Sequence, residues 1–123
     1  LDGARQVVLQ PIGDESRLRH HAFVERCRQQ VATRSDGKLG YLHLPDMGPA
    51  GLREFVRQYY PQRDRQGLVI DIRGNGGGFV SQMLLNRLQR ELLLCSFGRH
   101  SGFTPYPRAL FAGHLACLID ETT

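Results

Sequence analysis

The hydrophobic positions of the chain alternate between short apolar runs and longer stretches with helical spacing. The apolar runs predict strands at residues 4–10, 39–44, 68–72 and 115–119. The last of these is expected to be buried. Apolar residues spaced by three and four predict helices at about residues 14–33, at residues 51–60 and from residue 79 onward. Strands that alternate with helices are typical of a parallel sheet with right-handed crossovers. The pattern therefore predicts an α/β fold.

The most informative stretch is a strand, a turn rich in glycine and a helix, in residues 67–94. Its turn, Gly74-Asn75-Gly76-Gly77-Gly78, is called the glycine turn below. Glycines admit positive φ and a close approach of backbone N–H groups, and N–H groups at a helix start attract anions.

Four interpretations of the glycine turn are open. A dinucleotide site expects a third glycine where Phe79 stands, and a phosphate loop expects a lysine that is absent from this stretch. An oxyanion hole for acyl transfer requires one or two fixed N–H groups. A turn that only lets helix and strand pack closely is the fourth interpretation.

Composition and charge exclude several classes of protein. The 123 residues carry a net charge of +4, but the arginines are scattered and interleaved with acids, which favours a solvated helix face over a nucleic-acid site. The three cysteines are isolated, as expected for free thiols in a reducing, cytoplasmic compartment. No apolar run reaches membrane-spanning length. His20 and His21 are adjacent and face different sides of a helix, so we expect solvent exposure and no metal site.

Residues 71–78, DIRGNGGG, carry the resemblance to a known family: they are similar to the D-x-R-x-N-x-G-G signature of the C-terminal processing serine peptidases. Residues 37–45, 67–82 and 105–107 look like the tricorn branch of that family. The resemblance implies an α/β fold similar to crotonase and ClpP, a peptide substrate, no cofactor and a homo-oligomer, a hexamer in the tricorn branch. It divides the chain into the end of a preceding domain (PDZ by resemblance) or an edge strand at 1–13, a connecting helix at 14–35 and the N-terminal part of a catalytic core at 36–123.

The same resemblance assigns roles to four residues. The Gly78 N–H would belong to the oxyanion hole, with Gly76 and Gly77 shaping the approach of the substrate. Ser96 falls where the family shapes the pocket for the residue before the scissile bond. The nucleophilic serine would lie about two residues beyond Thr123, on a strand-to-helix turn. The chain begins with Leu and is expected to be part of a longer protein, inactive by itself.

Other polar residues near the glycine turn have more ordinary interpretations. Ser81 is expected to bond locally or to face solvent at the helix start. Asp71 and Arg73 are expected to hold the turn through hydrogen bonds or an ion pair. His43 could contact the cleft or serve packing. Residues 95–107 are predicted to form a polar loop along a cleft wall. A non-catalytic peptide-binding module is the alternative function.

Overall fold

A computed structural model of the chain describes residues 7–123. It confirms a mixed α/β fold, in which helices and strands alternate from α1 to β3. The elements are α1 (Ser16–Arg34), β1 (Leu39–His43), α2 (Pro49–Tyr59), a 3-10 turn (Tyr60–Gln62), β2 (Gly67–Asp71), α3 (Ser81–Leu88), β3 (Leu94–Gly98), β4 (Gly102–Tyr106) and β5 (His114–Leu118).

Three strands of the described residues form a parallel sheet in the order β1-β2-β5. The register pairs His43 of β1 with Asp71 of β2, and Asp71 in turn with Leu118 of β5. Parallel strands all end at the same edge of a sheet, called the carboxyl edge below. The segments that follow β1, β2 and β5 therefore leave the sheet side by side.

The hydrophobic core lies on one face of this sheet. Alternate residues of a strand point to opposite faces, so Leu42, Leu68 and Ile70 share the core face while their neighbours face α1. Helices α2 and α3 cover the core face with Phe55, Tyr59 and Leu84. Burying each such side chain contributes about 1.5–3 kcal/mol, which fixes the sheet against both helices.

Two glutamines cover the outer edge of β1. The Gln62 side chain accepts the Tyr41 N–H at 2.9 Å and donates to the Tyr41 carbonyl at 2.9 Å, and Gln58 accepts the His43 N–H at 3.0 Å. These side chains imitate a neighbouring strand and satisfy backbone groups that would otherwise be buried without partners.

The structure corrects three expectations about the strands. Residues 95–107 do not form a loop; β3 and β4 pair as an antiparallel hairpin, in which Phe97 and Phe103 contact each other edge to face. The predicted strand at 115–119 exists as β5, but all its residues are exposed rather than buried. The strand predicted at 4–10 lies partly outside the described residues, and residues 7–10 have no regular structure and are exposed.

Helix α1 packs on the face of the sheet opposite to the core. Asp14 supports its start by accepting the Ser16 N–H at 2.9 Å. His20 does not face solvent as expected, because its ring packs against that of His43 with centroids 4.9 Å apart. His21 is exposed, with its Nε2 2.6 Å from Arg57 Nη1. No helix within residues 7–123 is both long and apolar enough to cross a membrane.

Candidate active site

Three segments meet at the carboxyl edge of the sheet. They are residues 44–48 after β1, the glycine turn after β2, and residues 119–123 after β5, called the β5 turn below. Backbone hydrogen bonds continue past the strands: Leu44 N–H donates to the Asp71 carbonyl at 2.9 Å, and Ile72 N–H donates to the Leu118 carbonyl at 3.0 Å. The sheet therefore holds the starts of all three segments in register.

The glycine turn has a backbone that only glycine adopts without strain. The φ angles are +71° at Gly74, +87° at Gly77 and +147° at Gly78, all in the range that L side chains avoid. A Cβ on Gly78 would fall on the Met47 carbonyl, so the missing side chain also allows close backbone approach. By contrast, a Cβ on Gly76 would have no neighbour within 4 Å.

Backbone hydrogen bonds tie the glycine turn to the loop after β1. Met47 donates to the Gly77 carbonyl at 3.0 Å, and Val80 donates to the Met47 carbonyl at 2.9 Å. Met47 is therefore hydrogen-bonded both to Gly77, just before Gly78, and to Val80, two residues after it. The peptide group of Gly78 is held between them just before α3 begins at Ser81.

Asn75 fixes the glycine turn from inside. It is only 3% exposed; its Nδ2 donates to the Leu44 carbonyl at 2.9 Å, and its Oδ1 accepts the Gly77 N–H at 2.9 Å. One amide thus joins the loop after β1 to the turn after β2. Sequence reasoning assigned no role to Asn75, although a single asparagine among glycines in the family signature is the signal that marks it.

Asp71 and Arg73 hold the strand end, as the sequence analysis expects. Arg73 Nη2 and Nε donate to the two Asp71 carboxylate oxygens at 2.6 and 2.9 Å, and the Tyr41 hydroxyl donates at 2.7 Å. Burial of the Asp71 carboxyl would raise its pKa, but the hydrogen bonds from Arg73 and Tyr41 outweigh burial and lower it to about 2. Asp71 is therefore ionised at neutral pH and suited to a structural role.

Two N–H groups of the glycine turn remain available. Those of Gly76 and Gly78 donate to no acceptor within residues 7–123, whereas that of Gly77 is used by Asn75. An open cleft of about 500 Å³ lies beside the turn. It is lined by Met47, Ile72, Asn75, Gly76, Gly77, Glu121, Thr122 and Thr123. The site can therefore offer backbone donors to a negatively charged or polarised oxygen.

Gly78, Ser96 and Ser81 are not among the residues that line this cleft, although Gly78 follows Gly77, which is. Ser96 is exposed in β3, outside the lining of the cleft, and its assignment to substrate binding stays a prediction. Ser81 is the first residue of α3, with no side-chain hydrogen bond to another described residue. Within residues 7–123, no group of three or more His, Cys, Asp or Glu side chains is placed to hold a metal ion.

His43 lies on the α1 face of the carboxyl edge. It is 9% exposed, lines a pocket of about 310 Å³ with Asp71, Arg73 and Asp120, and its Nδ1 has no partner within the described residues. Burial lowers the pKa of His43, and the nearby Asp71 carboxylate offsets part of that effect. The buried, neutral His43 ring packs on His20 and so helps to hold α1 against the sheet.

Comparison with known proteins identifies the family. Residues 38–123 match the model of peptidase family S41, which is 86 of the 123 residues and includes both the glycine turn and the β5 turn. The chain belongs to peptidase family S41. The matched residues are those that build the carboxyl edge, so the S41 match and the geometry concern the same part of the molecule.

Individual S41 relatives are tricorn proteases. The chain is 41% identical to the tricorn protease of Thermoplasma volcanium over 88% of its own length, and 36% identical to that of Thermoplasma acidophilum over 95%. A crystal structure of the tricorn protease superposes on 96% of the chain with a TM-score of 0.86 at 36% identity. The chain spans only 10–12% of the length of these proteins.

Proposed function

We propose that this chain forms the oxyanion-binding half of the active site of a serine peptidase, whose nucleophile follows residue 123. The Gly78 N–H, which has no acceptor among the described residues, carries this proposal. Met47 holds the backbone on both sides of Gly78 through hydrogen bonds to Gly77 and Val80, and Gly78 is exposed just before α3. Membership of family S41 supports the peptidase activity. Gly76 and Gly77 line the adjacent cleft and shape the approach of a peptide.

The reaction would proceed through a tetrahedral intermediate. The serine Oγ bonds to the scissile carbonyl carbon, its proton passes to a base outside this chain, and the carbonyl electron pair moves to the oxygen. That oxyanion accepts the Gly78 N–H. When the intermediate collapses, the C–N bond breaks and the amine leaves with the proton, after which water hydrolyses the acyl ester. A single oxyanion donor contributes a factor of about 10²–10³ in kcat.

The remaining features of the parent protein follow the same proposal. Its substrate would be an unfolded polypeptide or peptide in the cytoplasm, and its complete catalytic core would have the fold of crotonase and ClpP. Homo-oligomers, hexamers by resemblance to the tricorn branch, would be the active assembly. Residues 36–123 would be the N-terminal part of that core, preceded by the helix of residues 14–35. Ser96 would shape the pocket for the residue before the scissile bond.

A serine-directed fluorophosphonate probe tests the proposal on the full-length protein that contains this chain. We expect one labelled serine, within a few residues after Thr123, and loss of labelling when that serine is replaced by alanine. Ser81 provides the matched control, since Ser81→Ala should label like the wild type. Labelling of Ser81 itself, or no labelling of a folded and oligomeric full-length protein, would refute the proposal.

A non-catalytic peptide-binding module is the second candidate. Within the described residues β5 pairs only with β2, so its outer edge can receive an extended peptide as an added strand. Under this alternative the protein would bind unfolded peptides, a fluorescently labelled casein digest for example, without cleaving them and without reacting with the probe.

A further inference from the structure

The β5 turn and the glycine turn are joined by one carboxylate, that of Asp120. Asp120 is the second residue after β5, and Gly74 is the third after β2, on neighbouring parallel strands. The Asp120 Oδ1 accepts the Gly74 N–H at 3.2 Å, across the gap between the two turns.

The same carboxylate also organises its own turn. Asp120 Oδ1 accepts the Thr122 N–H at 3.0 Å and the Thr122 hydroxyl at 2.8 Å. The Thr123 hydroxyl lies 3.0 Å from Asp120 Oδ1 and 3.1 Å from the Ile72 carbonyl, and it can donate to either. Two threonines on one turn and one glycine on the other therefore converge on Asp120.

This arrangement sets the spacing between the two halves of the site. The Gly78 N–H belongs to the glycine turn, whereas the proposed nucleophile follows the β5 turn. Hydrogen bonds from Thr122, followed by those from Gly74 and Thr123, lower the pKa of Asp120, so the carboxylate is an acceptor at neutral pH. Hydrogen bonds to a charged acceptor are shorter and stronger than those between neutral groups.

We propose that Asp120 is a positioning residue, whose carboxylate holds the nucleophile-bearing β5 turn at the reacting distance from the Gly78 N–H. This inference rests on the proposed peptidase function and adds a role that is independent of contact with the substrate. Asp120 neither attacks the substrate nor transfers a proton. It acts through the Gly74 N–H and the two threonines.

The experiment compares three variants of the full-length protein: Asp120→Ala, Asp120→Asn and Glu91→Ala. Alanine removes the acceptor and asparagine keeps an oxygen at the same position. Glu91 is an exposed acidic residue outside the lining of the cleft that makes no hydrogen bond with another described residue. The measurements are the rate of fluorophosphonate labelling, kcat and KM for a fluorogenic peptide, and the melting temperature.

We expect Asp120→Ala to lower kcat and the labelling rate by about tenfold to a hundredfold with little change in KM, because a misplacement of about 1 Å costs this much. Asp120→Asn should recover most of the loss, and Glu91→Ala should match the wild type. A purely structural role would lower the melting temperature and leave the kcat of the folded fraction unchanged.

The outcomes separate this proposal from the proposed function. A labelled wild type with an equally reactive Asp120→Ala variant would overturn the role of Asp120 and leave the peptidase function standing. Equal losses of kcat in the alanine and asparagine variants would also overturn it, since an oxygen acceptor at this position would then make no difference. A wild type that neither labels nor cleaves would overturn both proposals.

Discussion

Asn75 offers the sharpest test of how the glycine turn is held. Replacing Asn75 by Ala removes the donor to the Leu44 carbonyl and the acceptor of the Gly77 N–H, both at 2.9 Å. Asn75 is 3% exposed and Leu44 is 2% exposed, so water does not readily replace the lost amide at the Leu44 side. The Gly77 side is exposed and can be hydrated.

The expected cost follows from these two environments. A buried carbonyl without a partner costs about 1–3 kcal/mol, and a lost hydrogen bond at a hydrated site about 0.5–1.5 kcal/mol. The free energy of unfolding should therefore fall by about 2–4 kcal/mol on those figures. For a domain of this size each 1 kcal/mol corresponds to about 3–6 °C in melting temperature.

Urea denaturation followed by circular dichroism measures this difference on the chain of residues 1–123. Asn86→Ala is the matched control, because Asn86 is an exposed helical asparagine that bonds only to Gln82 among the described residues, at 3.2 Å. That control should stay within about 0.5 kcal/mol of the wild type, as surface substitutions usually do. An Asn75→Ala variant as stable as the control would refute the role assigned to this amide.

Three further predictions follow from the same region. Gly78→Ala should destabilise the chain by about 1–3 kcal/mol, because of its positive φ and the clash with Met47, whereas Gly76→Ala has open space and should cost less than 1 kcal/mol by urea denaturation. The pKa of His43 is lowered in the folded chain, so the unfolded chain takes up a proton at a higher pH than the folded chain. The free energy of unfolding should therefore be at its full value above about pH 6.5 and fall as the pH drops toward the folded pKa. His43→Leu should flatten this slope in pH-dependent melts, and an unchanged slope would contradict the prediction. Tyr41→Phe removes the 2.7 Å hydrogen bond to Asp71 and should lower the free energy of unfolding by about 1.5–3 kcal/mol. It should also raise the Asp71 pKa above about 2 in a carboxyl NMR titration, and an unchanged pKa would count against this network.

The sequence predicts the parallel sheet well because β1, β2 and β5 are short, apolar and bounded by breakers. The glycine turn itself is also predictable, since four glycines in five residues are typical of a segment that needs positive φ and close backbone approach. The roles of Asp71 and Arg73 followed from their positions at the strand end, and their ion pair confirms them.

Other features depend on neighbours that are distant along the chain. Gln58 and Gln62 cover β1 from a helix whose polar positions look solvent-exposed in the sequence, and Asn75 reaches Leu44 across 31 positions. The hairpin of β3 and β4 was missed because its polar residues and glycines resemble a loop. The exposure of β5 was missed for another reason: an apolar run predicts a buried strand, but burial also needs elements that cover it. Both β1 and β5 are edge strands of the described sheet, and α1 and α2 pack on β1 rather than on β5.

The contact between Gly78 and the reacting oxygen is the central claim, and a crystal structure of the full-length protein with the phosphonate adduct tests it most directly. The account predicts covalent modification of a serine shortly after Thr123, with the phosphonyl oxygen about 2.7–3.1 Å from the Gly78 nitrogen. An adduct whose oxygen points away from the glycine turn, and is held by donors outside it, would contradict the account.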